Sequence, residues 1–418
     1  MGTYQIIGGI PLSGAVRIHG AKNSVLPILA ATLAVSGQYI LRNCPDISDV
    51  SAAMRILRAL GCNAERFGDT IEIDSSPADR TDIPPELMCT MRAAVIFLGA
   101  LLRRFGEASV GKPGGCVLGE RPIDLHLLGF RQMGVHITSD GDLLRCRAKR
   151  LHGCTVALPY PSVGATENLL LAALGCRGEV TICNAAREPE IGDLIAFLRS
   201  CGAEISGDGT SVLRITGNQP MHGTKHTVMP DRMEAVTYLC AAAITGGTIR
   251  LEAICPEHIA SVTELLRQSG CEITETESQI ILKSGKLKSV SPIVTAPYPA
   301  FPTDAQAVMM ALMCDAEGTS VFEETVFSDR FRHVPALRSM GADIQTTEHY
   351  AIVKGVKKLH GASVAATDLR GGAAMVLAAL RAEGESRITE TEHIERGYAS
   401  FIPTLQSCGA RIKNTEGQ

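Results

Sequence analysis

Short runs in which apolar and polar residues alternate recur along the chain. Ala203-Glu204-Ile205-Ser206 and Val212-Leu213-Arg214-Ile215 are two of them, and each predicts a strand with one wet face. Between such runs lie segments with helical spacing. Ile191 to Ser200 places Leu194, Ile195, Phe197 and Leu198 on one face and ends at Cys201-Gly202, a helix followed by its C-terminal stop. A glycine stands just before an alternating strand at Gly37, Gly106, Gly178, Gly247, Gly318 and Gly384, at intervals of 66 to 72 residues. A second series closes another helix at Gly61, Gly134, Gly202, Gly270, Gly341 and Gly409, at intervals of 68 to 73 residues. Two markers that share one period define an internal repeat. The order within it reads helix, glycine, strand, helix, glycine, strand, turn, strand.

A third marker, an apolar residue two places before a glycine, precedes the last strand at Leu12-Ser13-Gly14, Leu151-His152-Gly153, Met221-His222-Gly223 and Leu359-His360-Gly361; the second and fifth repeats lack a clear copy. There are 36 residues before Gly37 and 35 from Gly384 onward, together one period. The last repeat is therefore cut open, and the first twenty or so residues are expected to supply its missing strands. Two domains of three repeats follow: residues 22–229, and residues 1–21 with 230–418. The chain passes between them near Gly20-Ala21 and Met229-Pro230, which makes these candidate hinges, and a cleft between domains is a usual place for a ligand.

A chain of 418 residues with 45% hydrophobic and 20% charged content is that of an ordinary soluble protein with a large core. Its formal charge of −4 excludes a global basic field for nucleic acid or anionic lipid, so any anion site is local. Met1 to Gly9 lacks the pattern of a signal peptide. The longest apolar run, Ala93 to Leu102, is about half a membrane span and is bounded by arginines. The 14 cysteines form no C-x-x-C pair and no zinc-spaced cluster, so free thiols in a reducing cytoplasm are expected, thirteen of them as small buried apolar residues, with no metal and no cofactor.

The first helix of each repeat carries the charged chemistry. The starts read Lys22-Asn23-Ser24, Thr90-Met91-Arg92, Ser162-Val163-Gly164-Ala165-Thr166, Asp231-Arg232, Thr303-Asp304 and Asp368-Leu369-Arg370. Helix starts present unpaired N–H groups and a partial positive charge, so their convergence, with Lys22, Arg92, Arg232 and Arg370 among them, would build a site for strong anions. The remaining exception is Cys116. It lies in Gly111-Lys112-Pro113-Gly114-Gly115-Cys116-Val117-Leu118-Gly119-Glu120-Arg121, a stretch whose glycines and proline suit no regular element and which reads as a lid. Cations at Lys112 and Arg121 can lower a thiol from roughly 8.5 toward neutrality, which makes Cys116 a candidate nucleophile or acid. Asp231, Asp304 and Asp368 all stand where a helix cap would, and the residues alone do not choose a base among them.

At this point the sequence resembles the enolpyruvyl transferases, and within them the branch that acts on a UDP-sugar. The resemblance rests on Gly20-Ala21-Lys22-Asn23, Pro113-Gly114-Gly115-Cys116, Arg121-Pro122-Ile123-Asp124-Leu125-His126, Asn184-Ala185-Ala186-Arg187-Glu188-Pro189-Glu190, Pro230-Asp231-Arg232, Phe301-Pro302-Thr303-Asp304, Glu324-Thr325-Val326-Phe327 and Arg396-Gly397-Tyr398, in order along the whole chain. It implies an α/β fold of two inside-out α/β barrel domains, each of three pseudo-repeated β-α-β-α-β-β units. The activity implied is transfer of the enolpyruvyl group of phosphoenolpyruvate to the 3-hydroxyl of UDP-N-acetylglucosamine with release of phosphate, in peptidoglycan synthesis. Cys116 would be the acid and covalent residue and Asp304 the base. Lys22, Arg121 and Arg396 would grip phosphoenolpyruvate, with Asn23 beside Lys22 and Arg370 near the phosphate. Arg92, the run Arg121, Pro122, Ile123, Asp124 and Leu125, then Ser162, Val163, Gly164 and Val326 would line the sugar-nucleotide site. Tyr160 departs from the lysine that some members carry. The implied protein is a monomer or weak homo-oligomer with small-molecule substrates and no nucleic-acid or membrane partner.

Three other readings share the same residues: the sister enzyme acting on shikimate 3-phosphate, which does not depend on a lid thiol; an RNA-end cyclase, disfavoured by the acidic charge; and a catalytically silent paralogue that binds a UDP-sugar. A glycine-rich lid cannot hold one conformation unaided. UDP-N-acetylglucosamine is therefore expected to protect residues 111–121 from limited proteolysis, and cleavage at an unchanged rate would remove the lid from the picture.

Overall fold

The computed structural model describes residues 2–111 and 123–416. They divide into two compact units, a central one within residues 20–229 and a terminal one made of the first nineteen residues and everything from Pro230 onward. Each unit holds three four-stranded sheets of the same order, and in each sheet the first pair of strands is parallel and the other pairs antiparallel. In the sheet of Thr70–Asp74, for example, that strand lies between Gln38–Arg42 and Asn63–Phe67, and Lys225–Thr227 closes the far edge in parallel.

The N-terminal strands separate. Gly2–Ile7 pairs with Glu385–Thr389 on one side and with Arg411–Glu416 on the other, completing the last repeat. Ser13–Arg17 instead pairs in parallel with Thr248–Glu252, in the fourth repeat's sheet. The expectation that both belong to the last repeat is corrected for the second strand. The physical reason is the crossing of the chain: Ser13–Arg17 and Lys225–Thr227 each precede a crossing, so each stays behind as the edge strand of the unit the chain is leaving.

Within each unit three helices pack on one another. In the central unit these are Lys22–Ala34, Phe97–Phe105 and Val163–Ala173; in the terminal unit they are Arg232–Ile244, Gln306–Met313 and Leu369–Arg381. All thirteen residues of Arg232–Ile244 and all eight of Gln306–Met313 are buried. Such helices need no amphipathic stripe, which is why they read as apolar on every side. Small residues let them approach closely: a Cβ on Gly99 would sit 2.2 Å from the carbonyl oxygen of Asn168.

The other helices, among them Ser48–Ala59, Pro189–Ser200 and Ala260–Gln268, bury one face and wet the other. All six glycines of the second series have φ between 89° and 103°, the left-handed geometry that closes a helix. In the first series Gly247 owes its place to a close approach instead, because Gly246 takes the left-handed turn and a Cβ on Gly247 would come within 2.0 Å of the Leu12 carbonyl oxygen. Thirteen cysteines are described and none is in a disulfide; Cys89 is exposed and Cys154, Cys183 and Cys255 are half-buried, so burial does not extend to all of them as composition suggested. No helix among the described residues is long and apolar enough to cross a membrane.

Gly20 stands at the first crossing, where a Cβ would lie 1.7 Å from the Asn43 carbonyl oxygen. The Asn43 backbone cannot yield cheaply, since the Asn43 side-chain amide donates to the Val228 carbonyl and the Val228 amide donates to the adjoining Arg42 carbonyl. Gly20→Ala is therefore expected to cost about 2–4 kcal/mol, read as a lower denaturant midpoint; a midpoint equal to that of the wild type would contradict this packing.

Candidate functional site

In the terminal unit three aspartates stand at helix starts, and the structure gives them different work. Asp231 accepts from the amides of Met233 and Glu234, and Asp368 from those of Arg370 and Gly371, so both are caps. Asp304 lies inside the single turn Thr303–Ala305 before Gln306–Met313, where Pro302 and Ala305 hold the two cap positions. Its Oδ1 accepts from Arg330 Nη2 at 2.9 Å, and its Oδ2 accepts from Arg370 Nη2 and Nε at 3.1 and 3.3 Å. Its side chain keeps 31% of its surface while the two guanidiniums keep 2% and 6%. A carboxylate that reaches solvent is thus held from behind by two buried cations.

Each guanidinium is anchored in turn. Arg330 also donates to the Thr303 carbonyl and lies 5.7 Å over the Phe327 ring. Burial works against the charge of Arg370, but the Tyr398 hydroxyl and the carboxylates of Asp304 and Asp231 outweigh it and hold the group cationic. Val326 belongs to the same cluster: its amide and that of Phe327 donate to Glu324 Oε1, while Glu324 Oε2 accepts from the Thr303 hydroxyl at 2.9 Å. Arg232 is buried, its guanidinium 5.7 Å from the centre of the Tyr298 ring. Arg396 closes the short helix Glu392–Glu395, two residues before Tyr398.

The central unit holds the other candidates. Lys22 opens Lys22–Ala34, and its ammonium is 2.6 Å from Asp49 Oδ2, both side chains nearly buried. Asn23 follows it. Ser24 donates to Asp193 Oδ2 at 2.5 Å, and that oxygen also accepts from the Met229 amide, while Asp193 Oδ1 meets His226 Nε2 at 2.9 Å. A second group gathers around His126. Its Nδ1 meets the Asn168 amide at 2.9 Å, a Cβ on Gly164 would lie 3.4 Å from its ring, and Arg92 and Asp124 act on it electrostatically. Asn168 Oδ1 accepts from the Gly99 amide, which fixes the amide orientation; Asn168 therefore donates to His126 Nδ1, and the ring proton sits on Nε2. Ser162 caps Val163–Ala173 through the Ala165 amide. Ile123 stands just before Asp124–Gln132, which carries Leu125, and makes no side-chain capping bond.

Residues 6–405 match the model of the family described as EPSP synthase (3-phosphoshikimate 1-carboxyvinyltransferase). The chain belongs to the enolpyruvyl transferase family. Among its relatives, UDP-N-acetylglucosamine 1-carboxyvinyltransferase 2 of Caldanaerobacter subterraneus subsp. tengcongensis is 45% identical over 413 residues, 99% of each chain. The UDP-N-acetylglucosamine 1-carboxyvinyltransferase of Finegoldia magna is 44% identical over 421 residues, covering 100% of this chain and 99% of its own. Among solved structures, the enolpyruvyl transferase NikO from Streptomyces tendae superposes with a TM-score of 0.91 at 27% identity, over 100% of this chain and 99% of its own. An EPSP synthase from Acinetobacter baumannii shares the fold at 20% identity, with a TM-score of 0.78 over the whole of both chains.

Of the family residues expected from sequence, Cys116, Arg121 and Pro122 lie outside the described residues. Asp304, Val326 and Arg370 are brought together in the terminal unit, and Arg92, Asp124 and Gly164 in the central one. Arg330, Glu324 and Tyr398 were missed as participants. Glu324 and Tyr398 lie inside motifs that carry the resemblance, which was the available signal; Arg330, in Asp329-Arg330-Phe331, has no pattern that would single it out. Among the described residues no group of three or more His, Cys, Asp or Glu side chains could hold a metal ion.

Burial, with Arg92 adding to it, pushes His126 down to about 4 from an ordinary 6.5. As pH falls from 6.5 the unfolded chain takes up this proton and the native one does not, so the stability that depends on a neutral His126 is lost between pH 6.5 and 4. The buried carboxyl of Glu167, pushed up by burial and by Glu190 and Glu188, works in the opposite sense, so a difference measurement is needed. The stability advantage of the wild type over His126→Gln is expected to shrink by on the order of 2–3 kcal/mol across that window in urea titrations. An advantage independent of pH would contradict a neutral His126.

Proposed function

We infer that this protein transfers the enolpyruvyl group of phosphoenolpyruvate to the 3-hydroxyl of UDP-N-acetylglucosamine and releases phosphate, the first committed step of peptidoglycan synthesis. One observation carries the inference: relatives with that name are 44 to 46% identical over essentially the full length of the chain. The two units are the family's two inside-out barrels, and the enzyme works in the cytoplasm.

The reaction is an addition followed by an elimination. The methylene carbon of phosphoenolpyruvate takes a proton from Cys116, while the sugar's 3-hydroxyl oxygen bonds to the carbon bearing the phosphate and Asp304 takes the hydroxyl proton. Return of a proton from the new methyl group to the Cys116 thiolate then restores the double bond and expels phosphate, which carries away the proton held by Asp304. The Cys116 sulfur can add to the same carbon instead, giving a phospholactoyl adduct. For Asp304 as the base the support is geometric: Asp231 and Asp368 are occupied as caps, and the Asp304 side chain keeps 31% of its surface open to solvent. Lys22, Arg121 and Arg396 hold phosphoenolpyruvate, with Asn23 beside Lys22 and Arg370 near the phosphate, where cations match charge that builds up in the transition state. Arg92, residues 121–125, Ser162, Val163, Gly164 and Val326 hold the sugar nucleotide.

Phosphate release from phosphoenolpyruvate is expected with UDP-N-acetylglucosamine and not with shikimate 3-phosphate; the reverse pattern would transfer the chain to the sister activity. Cys116→Ala is expected to abolish most turnover, and Cys116→Asp to retain turnover while resisting thiol alkylators such as fosfomycin. Arg121→Ala or Arg396→Ala each removes a charge-assisted contact, roughly 1.5–3 kcal/mol, or ten- to a hundredfold in kcat/KM. An unchanged rate in Cys116→Ala would rule out its role as acid.

A further inference from the structure

Behind Arg370 lies a tyrosine that none of these roles uses. Tyr398 is 3% exposed, its ring stacks on Phe401 at a centroid distance of 4.7 Å, and the Arg370 guanidinium lies 5.5 Å from the centre of the same ring. Its hydroxyl is 3.1 Å from Arg370 Nη1 and 2.8 Å from Thr237 Oγ1. The direction of this chain of hydrogen bonds can be worked out. Thr237 has one hydroxyl proton and gives it to the Met233 carbonyl, 2.9 Å away and one turn back on the same helix. Thr237 must then accept from Tyr398, and Tyr398 must accept from Arg370. The path runs from guanidinium to phenol to threonine to a backbone carbonyl in the first turn of a fully buried helix.

A guanidinium is a rigid plane with its donors in a fixed fork, so anchoring one Nη sets the edge that the rest presents. Held at Nη1 by Tyr398, Arg370 turns its Nε and Nη2 to Asp304 Oδ2. Tyr398 is also two residues from Arg396, with only Gly397 between them. We propose that Tyr398 is a positioning residue for the reaction: anchored on Thr237, it sets the plane of Arg370 and thereby the orientation of the Asp304 carboxylate, and it ties both to the turn that carries Arg396. The role presupposes the enolpyruvyl transfer proposed above.

Tyr398→Phe keeps the ring and its stacking and leaves the Thr237 bond to Met233 intact, so the protein is expected to fold, with a melting temperature lowered by the loss of the acceptor of Arg370 Nη1. In the phosphate-release assay with phosphoenolpyruvate and UDP-N-acetylglucosamine, kcat is expected to fall about tenfold, the worth of one bond to a charged group, with KM for the sugar nucleotide almost unchanged. In an Arg370→Lys background, where there is no planar fork to orient, adding Tyr398→Phe is expected to cost nothing further. A crystal structure of Tyr398→Phe should show Nε and Nη2 of Arg370 withdrawn from Asp304 Oδ2. The role is overturned by a kcat within about twofold of wild type, by the same loss in both backgrounds, or by an unchanged Arg370 to Asp304 geometry in the variant. A wild-type protein that releases no phosphate with either acceptor removes the enolpyruvyl reading, and the variant's Arg370 geometry then still decides for or against Tyr398.

Discussion

Two guanidinium groups with almost no access to water, Arg330 and Arg370, face one carboxylate, and the chemistry proposed for the terminal unit rests on that arrangement. Taking such ions out of water costs several kcal/mol each unless each finds well-placed partners. The partners here come from four stretches of chain: Asp304 with the Thr303 carbonyl, the Phe327 ring, the Tyr398 hydroxyl, and the capping Asp231 with, behind Tyr398, Thr237 on the helix it caps. Breaking any one of these contacts leaves a buried cation worse satisfied. The positions of Asp304 and of the turn at 324–327 are therefore coupled more tightly than their separation in sequence suggests.

The repeat makes this possible by offering the same helix start several times and letting each copy do something else. At Asp231 and Asp368 the carboxylate satisfies the first free amides of its own helix, which is the ordinary use of an aspartate there. At Asp304 the helix is entered through a tighter single turn after Pro302, and the carboxylate accepts from Arg330 and Arg370. In the central unit Ser162 caps, while Lys22 and Arg92 place cations where the helix's partial positive charge disfavours them. Asp49 offsets that cost at Lys22 in a near-buried ion pair. Departures from the local rule mark the positions that the proposed chemistry uses, as expected where function and not stability sets the residue.

Glycine does the mechanical part. Six left-handed glycines end the outer helices and keep the period legible, while others are there because another strand or helix passes within a Cβ's radius. The two crossings add a constraint of their own, since each strand that precedes a crossing remains as the edge strand of the unit left behind. Three of the six sheets, those of the first, fourth and last repeats, take a strand from a distant part of the chain.

Some of this is determined by the sequence alone. A six-fold repeat, alternation with a period of two in the strands, the outer helices with one apolar face and the placement of charges at helix starts are all local properties, readable because backbone geometry imposes those spacings wherever they occur. The motifs that carry the family resemblance are local in the same sense. Tertiary structure alone decided which aspartate is not a cap, that Arg330 and Tyr398 stand with Arg370, and that Ser13–Arg17 belongs to the fourth repeat's sheet. A capping and a non-capping aspartate at a helix start look identical in one dimension. What separates them is where a guanidinium from 26 or 66 residues away comes to rest, and that is set by packing across the core rather than by any neighbour along the chain.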